Sequence, residues 1–145
     1  MIQYRPMKID DYDAVMALWL QTDEMLLREA DSQTNIGGYL ARNQNLSFVA
    51  ENENNEIVGT ILAGTDGRRG YIQHLSVSLE YRSQGIGRAL VGQAVNALSG
   101  SGIAKMHLFV NIANESAKKF YQRLGWQIRE EVRMYSFNSS LNAEA

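Results

Sequence analysis

The chain has no cysteine, one proline and two histidines in 145 residues, and each scarcity closes off a class of chemistry. Without cysteine there is no disulfide framework, no thiolate zinc site and no cysteine nucleophile. His74 and His107 are the only imidazoles, so no metal site is expected. Pro6 alone supplies no proline-rich connector. No apolar run approaches the length of about 18 residues that a bilayer-spanning helix needs. The opening MIQYRPMKIDDYD lacks the apolar core of a signal peptide, which leads us to expect a cytoplasmic protein with no membrane partner. The formal net charge of -2 arises from interspersed acids and bases, which gives no field suited to nucleic acid.

What is present is enough apolar sequence, 45%, to bury one core, so residues 1–145 are expected to form a single domain. Ile2, Tyr4 and Pro6 precede Asp10 and Asp11 and then Val15, Leu18 and Trp19, a strand leading into an amphipathic helix. A helix near Ile36 to Arg42 is weakened by Gly37-Gly38, and this part should be the least regular. Ser47 to Glu51 and Ile57 to Ala63 read as a hairpin around a polar loop, and Tyr71 to Val77 as a third strand beyond the turn at Gly64 to Gly70. Gly85 to Leu98 is a helix with Ile86, Leu90, Val91, Ala94, Val95 and Leu98 inward. Met106 to Val110 is a strand, and Glu115 to Leu124 a helix stopped by Gly125. Gln127 to Phe137 adds at least one more strand, and Asn138 to Ala145 is a polar tail. The order predicts an α/β (α+β mixed) fold, with a central mixed, mostly antiparallel sheet of six to seven strands and helices on both faces.

The stretch from Tyr71 to Leu90 delivers a strand through a glycine loop into a helix, the layout of an anion site. The first N–H groups of a helix have no partner within it, and the helix dipole adds partial positive charge. Gly85 and Gly87 allow close approach of an anion, and Arg82 and Arg88 add full charges, which suits a diphosphate. The dinucleotide fingerprint fails, because Leu90 stands where its third small residue belongs and Asn111, not an acid, ends the next strand. No Gly-Lys-Ser/Thr tripeptide supports a P-loop. Packing alone would also account for two glycines at a tight turn.

Arg82-x-x-Gly85-x-Gly87 after an apolar strand resembles the acetyl-CoA signature of the GCN5-related N-acetyltransferase superfamily. A second block, Asn114-x-x-Ala117-x-x-Phe120-Tyr121-x-x-x-Gly125-Trp126, is similar to that family's Asn-x-x-Ala-x-x-Phe-Tyr-x-x-x-Gly-Phe, and the resemblance extends along nearly the whole chain. It implies an N-acetyltransferase moving an acetyl group from acetyl-CoA to a primary amine by direct attack in a ternary complex. On this resemblance Leu75, Ser76 and Val77 pair with pantetheine. Arg82, Ser83, Gln84, Gly85, Ile86, Gly87 and Arg88 cradle the pyrophosphate, and Asn114, Ala117, Phe120 and Tyr121 line the groove. Tyr121 is the catalytic candidate, donating a proton to the departing thiolate, and the N–H of Val77 stabilises the oxyanion. The resemblance leaves the base open. His74 lies by strand alternation on the face opposite Leu75 and Val77, Glu80 precedes the loop, and Asp23, Glu24, Glu29 and Asp31 fall in the segment where the family builds its acceptor pocket. The acceptor is a small-molecule amine or a protein N-terminus. A non-catalytic acyl-CoA sensor is the competing reading. A strand near Arg129 to Phe137 would allow a homodimer by edge pairing.

Overall fold

Polar turns cut the chain into short apolar runs, and pairing those runs satisfies their backbone groups. The computed structural model describes residues 1–23 and 25–145. Two compact units are formed, Met1–Leu108 and Phe109–Ala145.

The first unit holds a five-stranded sheet in sequence order: β1 (Gln3–Pro6), β2 (Phe48–Glu51), β3 (Ile57–Thr65), β4 (Gly70–Val77) and β5 (Met106–His107). The first four strands are antiparallel to their neighbours, and β5 is parallel to β4. Between them run α1 (Tyr12–Leu20), α2 (Gln33–Arg42) and α3 (Ile86–Gly100). Strand alternation in β3 assigns the helices to two faces. Leu62 packs with Val15, Trp19 and Ile36 of α1 and α2, and Thr60 bonds Trp19. Gly59 points the other way: a Cβ there would lie 3.0 Å from Leu90 and 3.1 Å from Ile86, so glycine lets α3 settle close to the sheet. Leu90 and Leu98 of α3 are fully buried, and burial of each such side chain contributes about 1.5–3 kcal/mol. That packing anchors the helix whose first turn follows the glycine loop.

The α1 helix begins behind a charge clamp. Arg5 of β1 bonds both carboxylate oxygens of Asp11 at 2.8 Å and reaches Glu51 of β2 at 2.8 Å. The α2 helix starts at Gln33, earlier than its apolar pattern indicates, because the Ser32 hydroxyl accepts the Asn35 N–H at its N-terminus.

One irregularity interrupts β4. Gln73 pairs with Leu62 and Ser76 with Thr60, so His74 and Leu75 together oppose one residue of β3. His74 has φ +50, outside the region a strand residue prefers. This is a β-bulge, and it breaks the simple alternation by which His74 was placed.

The second unit contains α4 (Glu115–Arg123) and no strand among the described residues. Its helix ends in a Schellman motif: the N–H of Trp126 bonds the Tyr121 carbonyl, that of Gly125 bonds Gln122, and Gly125 has φ +94.

Mixed sheet and two-sided helices therefore agree with expectation, but the strand count is five and not six to seven. The strand expected over Gln127 to Phe137 is not formed, and Met106 to Val110 shortens to Met106–His107. A strand needs a neighbour's backbone groups, and among the described residues no ladder partner pairs with Gln127 to Phe137. The edge expected for pairing two copies is therefore absent as a strand. Residues 138–145 are exposed and form local turns around Asn138, Ser140 and Asn142. Among the described residues no helix is long and apolar enough to cross a membrane.

Candidate active site

The glycine loop begins where β4 ends. Ser78 donates its N–H to the Val58 carbonyl at 2.8 Å, which makes 58 and 78 a hydrogen-bonded pair. In an antiparallel ladder such pairs alternate, so the preceding pair, Gly59 with Val77, directs its backbone groups outward. The Val77 N–H and carbonyl thus face the edge of β4 remote from β3. Only Gly70 and Tyr71 are paired with β5 on that edge, and from Ile72 to Val77 no strand occupies it among the described residues. The Val77 carbonyl accepts the Arg82 Nε–H at 3.0 Å, which folds that side chain back under the loop.

A single 3-10 turn, Leu79–Tyr81, leads to the loop and is tied to the β2–β3 hairpin by the Asn52 amide on the Tyr81 hydroxyl at 3.1 Å. Ser83 has φ +63 and Gly85 φ +86. Gly85 is the N-cap of α3, and no side chain caps the helix there. The first backbone bond belongs to Ala89, whose N–H reaches the Gly85 carbonyl at 3.0 Å. The amides of Ile86, Gly87 and Arg88 belong to the first turn, whose donors have no partner within a helix. Ser83, Gln84, Gly85 and Arg88 are exposed, whereas Ile86 is buried and fixes the turn to the core. A row of outward N–H groups at a positive helix end, with Arg88 at its side, has the donor set a diphosphate needs.

In the second unit the Asn114 carboxamide oxygen caps α4 by accepting the Ala117 N–H at 3.1 Å. Phe120 and Tyr121 meet edge to face at 5.0 Å, and Trp126 closes on Tyr121 at 5.9 Å. Burial pushes the Tyr121 phenol up to about 12, so it stays protonated throughout the neutral range.

Of the acidic candidates, Asp23, Glu29 and Glu80 are exposed, and Glu24 lies outside the described residues. Asp31 is different, being buried at 8% exposure and paired with His74. Sequence patterning missed that pair, because the bulge that turns His74 toward Asp31 leaves no mark in the period of the strand. Ser76 is also buried and shares a hydrogen bond with Thr22, and by the same alternation its backbone groups face Thr60 of β3.

Residues 12–126 match the sequence profile of the Acetyltransferase (GNAT) family. An acetyltransferase of Pectobacterium atrosepticum is 35% identical over 127 residues, covering 87% of this chain and 88% of the relative. Another from Sodalis glossinidius is 33% identical over 132 residues, with coverage of 90% and 91%. Among solved structures, PaiA N-acetyltransferase from Thermoplasma acidophilum, in complex with coenzyme A, superposes with a TM-score of 0.75 at 20% identity. That superposition covers 89% of this chain and 91% of the other.

Proposed function

The chain belongs to the GNAT acetyltransferase family and is an acetyl-CoA-dependent transferase, and from that premise we propose that it acetylates a primary amine by direct attack within a ternary complex. The observation that carries the proposal is the uncapped start of α3 behind an unpaired β4 edge. Pantetheine carries amide groups, and an extended amide arm can pair with an open strand edge. In this reading Leu75 and Val77 bind that arm through the backbone, and Ser76 between them holds the strand to β3. Residues Arg82 to Arg88 hold the pyrophosphate with backbone N–H groups, while Arg82 and Arg88 supply charge. Asn114, Ala117 and Phe120 line the groove, and both units serve one N-acetyltransferase domain. The family match running across their boundary, from residue 12 to 126, supports that assignment.

Attack of the neutral amine on the thioester carbonyl builds negative charge on oxygen, which the outward Val77 N–H would receive. Collapse breaks the C–S bond. Tyr121, fully protonated, donates toward the departing sulfur. No covalent enzyme intermediate is needed, and the chain has no cysteine to form one. The acceptor is a small-molecule amine or a protein N-terminus, and the setting is cytoplasmic.

Calorimetry with acetyl-CoA, followed in the same preparation by a free-thiol assay against a panel of amines and N-terminal peptides, tests the proposal. Binding with amine-dependent thiol release is expected. Binding without release would favour an acyl-CoA sensor, and no binding would overturn the assignment of the loop.

A further inference from the structure

An alkylammonium must lose a proton before it can attack, and at pH 7 few are neutral, their ordinary value being about 10.4. None of the groups assigned above to the donor side removes that proton. The geometry points to His74: we propose that His74, clamped by Asp31, is the base that accepts the proton of the acceptor ammonium. The assignment rests on the acetyl-transfer reading and deepens it.

Three observations meet at this residue. First, His74 occupies the β4 bulge at φ +50, a conformation that a histidine adopts only where surrounding structure enforces it. The Thr60 hydroxyl donates to the His74 carbonyl, and Trp19 packs edge-on against the imidazole at 4.8 Å with the rings 83° apart. The strain is therefore held by the core and serves to aim the ring. Second, the Nε2 of His74 lies 2.8 Å from Asp31 Oδ1, with the side chains 20% and 10% exposed. The Asp31 carboxylate also accepts the Arg28 backbone N–H at 2.9 Å. Its backbone carbonyl accepts the Tyr12 hydroxyl at 2.7 Å. A carboxylate fixed in this way holds the proton on Nε2 and leaves Nδ1 as the acceptor, and it stabilises the imidazolium that forms. Third, His74 precedes Val77 by three residues on one strand, a separation of about 10 Å at most. An amine between them would lie within reach of the imidazole directly or through one water.

The proton balance is simple. One proton passes from R–NH3+ to Nδ1 and is released to solvent after turnover. The amine forms the C–N bond, the C–S bond breaks, and the second nitrogen proton ends on the coenzyme A sulfur. His74 is the catalytic residue, and Asp31 acts through it as a positioning residue. Among the described residues, the ionisable side chains bonded to this pair are Asp31 itself, on the ring, and Tyr12, on the Asp31 carbonyl. Trp19 and Thr60 carry no titrating proton.

The test is the pH profile of kcat/KM for amine-dependent thiol release in wild type, His74→Asn and Asp31→Asn, with acetyl-CoA binding and melting temperature measured for each. Asparagine is chosen at 74 because it tolerates positive φ. Wild type should show an acidic limb in kcat/KM that His74→Asn lacks. His74→Asn should bind acetyl-CoA as wild type does, lose about 100-fold in kcat/KM at pH 7, and recover as pH approaches that of the free amine. Asp31→Asn should keep the limb but lose about 10-fold in kcat/KM, because the ring is no longer held by the carboxylate. An unchanged profile in folded His74→Asn overturns the base assignment alone. Absence of thiol release in wild type overturns the acetyl-transfer reading and the base with it.

Discussion

The indole N–H of Trp19 donates to the hydroxyl of Thr60 across 3.0 Å, and both residues are fully buried. Thr60 in turn donates its hydroxyl hydrogen bond to the His74 carbonyl. A helix, a central strand and a bulge are thus joined by one polar chain inside the core. Removing the middle member would leave a buried N–H without a partner. Thr60→Val should therefore cost about 1–3 kcal/mol in chemical denaturation, despite its conserved volume.

Tyr121→Phe preserves ring packing against Phe120 and Trp126 while deleting the hydroxyl. Turnover should fall about 100-fold with acetyl-CoA affinity nearly intact, as read by thiol release and calorimetry. Unchanged turnover would remove Tyr121 from the donor role.

Two glycines of the same helix should respond in opposite directions. Gly85 has φ +86, so Gly85→Ala should cost about 1–2 kcal/mol and raise the KM for acetyl-CoA, since the loop must shift. Gly92 lies within α3 with open space where a Cβ would stand, so Gly92→Ala should stabilise by about 0.5–1 kcal/mol with KM unchanged. Thermal melts and initial rates on both variants separate the two effects.

The Asp11 carboxyl is held below its ordinary range: burial acts to raise it, and the Arg5 hydrogen bonds and the Lys8 N–H outweigh that burial. A depressed folded value contributes stability above the unfolded value near 4, and that contribution disappears as pH falls through the folded one. Asp11→Asn should lower stability at pH 7 by about 1–2 kcal/mol, Arg5 being 33% exposed, and should flatten the acid limb of the stability curve. A variant that still loses stability as steeply below pH 4 would assign the acid sensitivity elsewhere.

The Tyr39 hydroxyl is buried without a hydrogen-bond partner among the described residues, and burial pushes its phenol up to about 12. Tyr39→Phe should be neutral or stabilising in denaturant melts, because the desolvated hydroxyl is removed with little loss of ring packing.

The parts that patterning resolved were those governed by local chemistry. Apolar spacing marked α3, the glycine loop and the Gly85 start, and Asn114 and Gly125 bracketed α4 at both ends. Where geometry depended on a distant partner, the pattern failed. Gln127 to Phe137 has the composition of a strand, yet no neighbouring backbone in its unit completes one. The Ser32 cap went unread because Gly37-Gly38 weakened the helix that follows it. The bulge at His74 depends on β3 offering one residue against two, a matter of register that single-strand periodicity does not encode. The uncapped start of α3 is legible because a helix start with free backbone amides leaves a glycine signature. The Asp31–His74 pair spans 43 residues of chain and leaves none.

The outward N–H of Val77 has a consequence for how such a protein diversifies. A ligand read by main-chain amides exerts little pressure on the side chains along the edge that reads it, so substitutions there drift almost freely while donor recognition persists. If the proposed site holds, selection for a new acceptor can then act on the segment between α1 and α2 without first relearning how to hold the acetyl donor. Relatives that share the loop and the edge would be expected to differ most where the amine enters.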